Sequence, residues 1–123
     1  MDELVLIVDD NEVNAKLARD VLVHAGMRTL SAGTAAEALV LAKEHVPDVV
    51  LMDLRLPDLD GAEAARRLAG DEHTAKIPVL ALSALPVEDV EGWLREAGFA
   101  DYIEKPIDVR ELPERVRRHC ARS

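Results

Sequence analysis

Five side chains capable of polar chemistry each stand at the end of a short apolar or strand-like run. Asp9 and Asp10 follow Leu4 to Val8, Asp53 closes the run Val49 to Met52, Ser83 follows Val79 to Leu82, and Lys105 follows residues 100–104. If those runs are neighbouring strands, three carboxylates, a hydroxyl and an ammonium meet in one place. Three carboxylates in a partly desolvated pocket repel one another strongly. Something positive must offset them, or one must take up a proton. A divalent cation is the economical solution, and Mg2+ suits it, because it favours octahedral oxygen ligation and takes one or two carboxylates together with phosphate oxygens. Lys105 adds a fixed positive charge. Such a site suits phosphoryl transfer, in which negative charge spreads over the equatorial oxygens and catalysis is mostly positioning and electrostatic stabilisation. The metal and Lys105 would each meet a phosphoryl oxygen, and the Ser83 hydroxyl would donate to a third. Asp53 stands between the acidic pair and the Ser83/Lys105 side. It is the candidate nucleophile, giving an acyl phosphate.

The elements that must position these residues follow from periodicity. Short unbroken runs of Val, Leu and Ile read as strands covered on both faces. Between them the period turns helical: Val13, Leu17, Val21 and Leu22 share one face, and Ala35, Ala38, Leu39 and Ala42 recur at three and four. Thr34 and Glu37 form a capping box for the second helix, and Gly26 and Gly70 sit where helices can end. The predicted order is strand 4–8, helix 12–25, strand 27–32, helix 34–45, strand 48–53, helix 61–69, strand 78–83, helix 87–97, strand 100–104 and helix 108–121. Pro113 falls late for a helix starting at Asp108, so an irregular first turn is expected there. Strict alternation with short connections implies right-handed crossovers and a doubly wound α/β fold, a parallel sheet with helices on both faces. Chemistry in such folds gathers beyond the carboxyl ends of the strands, where the five candidates lie.

Composition narrows the function. The chain of 123 residues is 49% hydrophobic and 32% charged, the make-up of a single globular domain with one core. No apolar run approaches the roughly 18 residues of a membrane span, and the start Met1-Asp2-Glu3 carries no export signal. The single cysteine, Cys120, cannot form an internal disulfide, which fits a cytoplasmic location. A formal charge of −9 argues against a nucleic-acid surface.

The segments Val8-Asp9-Asp10-Asn11, Met52-Asp53-Leu54-Arg55-Leu56-Pro57, Asp60-Gly61, Ser83-Ala84 and Lys105-Pro106 together resemble the bacterial response-regulator receiver domain, the CheY-like family, over essentially the whole chain. The resemblance implies a flavodoxin-like (βα)5 fold with strand order 2-1-3-4-5, one receiver over residues 1–123 and no effector domain. It implies that Asp53 is phosphorylated by a histidine kinase or histidine phosphotransferase. It implies Mg2+, for which Mn2+ may substitute, bound by Asp10, Asp53 and the backbone carbonyl of Arg55, with Asp9 acting largely through water. Ser83, Ala84 and Lys105 would hold the phosphoryl group, and Tyr102 matches an aromatic switch that turns inward when Ser83 moves. The Lys105-Pro106 bond is expected to be cis. Ser83 stands where Thr is commoner, which keeps the hydroxyl. Arg55 and Leu85 match positions that tune dephosphorylation. Leu85 offers no acid or amide to position water, so a long-lived phosphoryl state is expected. The output would be protein binding through the surface made by helix 87–97, strand 100–104 and helix 108–121, in a stand-alone regulator, a relay intermediate or a receiver cut from a hybrid kinase.

Other readings fit less well. A haloacid-dehalogenase phosphatase needs a second Asp two residues after the nucleophile, where this chain has Arg55. A flavodoxin-like FMN binder would have to place the cofactor phosphate against Asp9 and Asp10. A receiver that never takes phosphate would not need every side chain that is present. Asp60, Asn11 and Asn14 read as helix-start residues and Trp93 as packing. His24, His45, His73 and His119 lack ligand spacing, and Arg115, Arg117 and Arg118 complement the dipole of the last helix.

Overall fold

The computed structural model describes residues 3–120, the side chains of Val87, Glu91 and Trp93 excepted. Ten elements alternate: β1 (Leu4–Val8), α1 (Glu12–His24), β2 (Arg28–Ala32), α2 (Ala35–His45), β3 (Val49–Asp53), α3 (Gly61–Gly70), β4 (Val79–Ser83), α4 (Val87–Ala97), β5 (Asp101–Glu104) and α5 (Leu112–His119). The strands form one parallel sheet in the order β2-β1-β3-β4-β5, as expected. The three inner strands are the apolar runs of the sequence, and β3 and β4 are buried at every position.

Alternation along each strand divides the core in two. Leu6, Val8, Val50, Met52, Val79 and Ala81 point to one face, where Ala38 of α2, Ala65 and Leu68 of α3 and Leu94 of α4 cover them. Val5, Ile7, Val49, Leu51, Leu80 and Leu82 point to the other, beneath Ala18 and Leu22 of α1 and Val116 of α5. Each large aliphatic side chain so buried contributes about 1.5–3 kcal/mol of transfer free energy. Among the described residues no helix is long and apolar enough to cross a membrane.

Two details depart from expectation. On α1 the buried stripe is Ala15, Ala18 and Leu22, while Val13 is 76% exposed and Leu17 also faces outward. The helix satisfies a three-four period on both faces, and the face with the smaller side chains packs against the sheet. Helix α5 begins at Leu112, not at Asp108. Pro113 has no N–H, and its ring would clash with the carbonyl four residues back, so a regular helix cannot run through residues 109–113. Residues 108–111 instead make a turn in which Asp108 Oδ1 accepts the Arg110 N–H at 2.9 Å, and the proline falls in the first turn of the helix. The helix ends at His119, with Cys120 as its C-cap, two residues short of the expected 121. The packing read for Trp93 lies outside the described residues, and Val90 and Leu94 beside it are buried.

The cap signals hold with one shift. Thr34 Oγ1 accepts the Glu37 N–H, while Glu37 Oε1 accepts the N–H of Gly33, one residue before the cap, in place of the Thr34 N–H of a strict capping box. Asn11 and Asp60 cap α1 and α3. Gly26, past the end of α1, has φ +94, a conformation that favours glycine.

At the sheet edge, both backbone groups of Tyr102 in β5 are occupied by side chains. Asp101 Oδ1 accepts the Tyr102 N–H at 2.7 Å, and Arg115 Nη2 donates to the Tyr102 carbonyl at 2.7 Å and to Asp101 Oδ1 at 2.8 Å. His119 Nε2 meets the other Asp101 oxygen at 3.0 Å. Burial opposes ionisation of Asp101, but the Tyr102 amide, Arg115 and His119 outweigh it and hold the carboxyl below its ordinary value. A depressed folded-state pKa gives stability that is present above the unfolded value and lost as pH falls through the folded one. Asp101→Asn is therefore expected to lower stability at pH 7 by on the order of 1 kcal/mol. The difference from wild type should shrink as pH falls below 3.8, as read from thermal melts across pH.

Candidate phosphoacceptor site

Strand register brings the site together. Val8 pairs with Met52, so the next residues, Asp9 and Asp53, stand side by side beyond the strand ends. Asp53 pairs with Leu82, and Ser83 pairs with Glu104, so Ser83 and Lys105 follow on the same edge. The chain passes from β1 to β2 on one side and returns from β2 to β3 on the other side of β1, so the strand order reverses at β1. The carboxyl ends of β1 and β3 that carry the acidic residues flank that switch point.

Asp9, Asp53 and Ser83 are buried, Lys105 is half-buried and Asp10 is exposed. One carboxylate oxygen each from Asp9, Asp10 and Asp53 lie within 4.8 Å of one another. Lys105 Nζ sits 3.3 Å from Asp9 Oδ2 and 3.1 Å from Asp53 Oδ2. Backbone amides hold the other oxygens: Asn11 N–H donates to Asp9 Oδ1 and Arg55 N–H to Asp53 Oδ1, both at 2.9 Å. Burial pushes the Asp9 carboxyl above its ordinary value, and the charge of Asp53 adds to this. The Asn11 amide and Lys105 offset part of it. Burial alone would lower Lys105, but Asp53 and Asp9 outweigh it and hold the ammonium above its ordinary value.

A cleft of about 360 Å3 opens over these groups, lined by Asp10, Asn14, Asp53, Ser83, Ala84 and Lys105 among others. Arg55 and Leu85 also lie on its wall. The donor set fits a hard cation: three carboxylates converge from two strand ends with a single ammonium against them, and oxygen ligands of this kind suit Mg2+. Behind Asp53 the chain is tightly packed. A Cβ on Gly61 would lie 2.5 Å from the Asp53 carbonyl oxygen and 2.9 Å from Leu54 Cα, so only glycine fits. The Lys105-Pro106 bond is cis.

A family model of the response regulator receiver domain matches residues 5–117. The chain belongs to that family. As a two-component receiver it is 41% identical over 117 residues to the polar-differentiation response regulator DivK of Brucella ovis, covering 95% of each chain. A protein of Chloroflexus aurantiacus assigned as a response regulator superposes with a TM-score of 0.93 at 33% identity, covering 99% of this receiver and all of the other chain. The receiver domain of the sensor histidine kinase PA1611 of Pseudomonas aeruginosa, which has a magnesium ion coordinated in its active-site cleft, superposes with a TM-score of 0.88 at 31% identity, covering 97% and 98%.

Two features of the receiver escape a reading of its sequence. Asn14 lines the cleft besides lying in the first turn of α1, and its spacing of three from the cap Asn11 was the available signal. The Leu85 backbone is bonded on both sides, its N–H to Ser83 Oγ at 3.1 Å and its carbonyl to the hydroxyl of the buried Tyr102. No residue type announces a backbone contact of that kind.

Two outcomes are expected in metal-free buffer. Lys105→Met leaves Asp9 and Asp53 facing each other without an ammonium and should cost on the order of 3 kcal/mol near neutral pH. Because the Asp9 pKa is raised on folding, the ionised form is the unfavourable one. The loss should therefore be larger at pH 8 than at pH 5, and denaturant titrations at both values measure it. Gly61→Ala should lower the melting temperature and displace the end of β3, visible as amide shifts at Asp53 and Leu54.

Proposed function

We propose that residues 1–123 form one receiver whose Asp53 accepts a phosphoryl group from a phosphohistidine on a histidine kinase or histidine phosphotransferase. The observation that carries this is the convergence of the Asp9, Asp10 and Asp53 carboxylates within 4.8 Å, with Lys105 bridging two of them at the strand ends. Asp9, Asp10, Asp53 and the Arg55 carbonyl would hold Mg2+, and Mn2+ is the natural substitute among oxygen-liganded ions. The ion supplies charge neutralisation for the phosphoryl oxygens. Asp53 Oδ attacks phosphorus, and the P–O bond forms as the P–N bond to the donor breaks. The histidine, whose other ring nitrogen already carries a proton, takes the bond's electron pair and leaves as the neutral imidazole. Lys105 stands against the developing charge, while the Ser83 hydroxyl, which accepts the Leu85 N–H, keeps its own proton to donate to a phosphoryl oxygen. The Ala84 amide lies on the same wall of the cleft. The chain's own chemistry is limited to gaining and losing this group, so it is a switch rather than a turnover enzyme, acting in the cytoplasm.

Output is assigned to the α4-β5-α5 face. The Leu85 backbone touches Ser83 through its N–H and Tyr102 through its carbonyl, and Tyr102 also lines a separate groove of about 450 Å3 between β5 and α5 with Glu104, Asp108 and Leu112. A phosphoryl group that draws Ser83 inward would shift the Leu85 backbone and Tyr102, biasing one of two arrangements of that face toward a protein target.

Incubation with acetyl phosphate and Mg2+, followed by intact mass measurement, tests the acceptor. A gain of one phosphoryl group that needs Mg2+ and is absent from Asp53→Asn is expected; an equal gain in the variant would move the acceptor elsewhere. Leu85 and Arg55 flank the path of an attacking water and are proposed to set the lifetime. Leu85 cannot orient that water, so the phosphorylated protein should last longer than seconds, and Leu85→Gln should shorten its lifetime several-fold in a mass-spectrometric decay series.

A further inference from the structure

The loop after Asp53 carries the Arg55 carbonyl and is pinned at its two ends. Leu54 N–H donates to the Leu82 carbonyl at 3.1 Å, and Gly61 N–H donates to the Leu54 carbonyl at 3.0 Å. Between those anchors, Asp58 reaches out of the loop to another element. Its Oδ1 accepts the Ala35 N–H at 2.9 Å and its Oδ2 the Ala36 N–H at 3.0 Å, so both carboxylate oxygens lie on the first turn of α2. That helix already has its own cap in Thr34, which serves the Glu37 amide. The contact from Asp58 is thus a second tie to the same helix end, made across more than 20 residues of sequence. The two amides hold the Asp58 carboxyl below its ordinary value, which keeps it charged at neutral pH.

We infer that Asp58 is a positioning residue for the metal ion: by tying the loop to α2 it fixes where the Arg55 carbonyl stands relative to Asp9, Asp10 and Asp53. The inference rests on the Mg2+ reading of the site. Mg2+ demands near-ideal ligand geometry, so a loop free to sample other conformations must be ordered on binding, and affinity falls accordingly. Leu56 and Leu59 pack against the core from the same loop, but apolar contacts without direction set depth rather than the orientation of a carbonyl.

The test compares wild type with Asp58→Ala, Asp58→Asn and Thr34→Ala, by calorimetric titration with Mg2+ and by 15N relaxation of residues 55–60 in the metal-free protein. Asp58→Ala should weaken Mg2+ binding about tenfold, the scale seen when groups that orient metal ligands are removed. It should also mobilise residues 55–60. Asp58→Asn keeps one acceptor and should lose less. Thr34→Ala takes a cap from the same helix end without touching the loop, and should bind Mg2+ like wild type. Equal weakening in Thr34→Ala and Asp58→Ala would mean that only helix stability is felt, and would overturn the inference. Unchanged binding or an unchanged loop in Asp58→Ala would overturn it alone, with the metal reading intact. A wild-type chain that takes up no Mg2+ at millimolar concentration would overturn both.

Discussion

Asp9 and Asp53 are held together because the parallel pairing of β1 with β3 leaves them no other place. Val8 beside Met52 fixes the next residue of each strand, and the buried residues behind them resist any slip, since a shift of one position would turn every core side chain to the wrong face. The folded chain therefore carries a built-in repulsion at the edge of its sheet. The Lys105 ammonium lies against both carboxylates, the Asn11 amide against Asp9 and the Arg55 amide against Asp53. Much of the local structure past the strand ends, from the start of α1 to the segment after β5, can be understood as the arrangement that tolerates this charge. A site under such tension is sensitive to any change of local charge, because added charge alters the balance that shapes it.

The sequence was legible where one physical requirement had one solution. Inner strands buried on both faces must be apolar throughout, so β1, β3 and β4 were plain, and the polar residues at their ends stood out against them. Caps were legible for the same reason: Thr34, Asn11 and Asp60 satisfy amides that nothing else in the helix can satisfy. The apolar face of α1 was not, because Val13 and Leu17 compete with Ala15 and Ala18 for the same period, and only the closeness of the sheet favours the alanines. Pro113 signalled trouble at the start of α5 without saying how it would be resolved. Asp58 was invisible, since its partners lie in another element and a loop containing Asp58 and Asp60 does not reveal which carboxylate caps which helix.

The backbone of a single residue, Leu85, joins the hydroxyls of Ser83 and Tyr102. Linkage through backbone has a physical advantage over linkage through side chains. The Leu85 N–H and carbonyl belong to adjacent peptide planes that meet at a single Cα, so a displacement at the first reaches the second through only the two backbone dihedrals of that residue. It also leaves the Leu85 side chain, exposed at the mouth of the cleft, free to vary in size and polarity without breaking the connection.

The closed edge of β5 limits how anything can be recognised there. With the Tyr102 amide and carbonyl already occupied by Asp101 and Arg115, another chain cannot extend the sheet at that residue by adding a strand. Backbone pairing is indifferent to sequence, whereas contact through side chains is not, so whatever meets this surface at Tyr102 must be matched to it residue by residue.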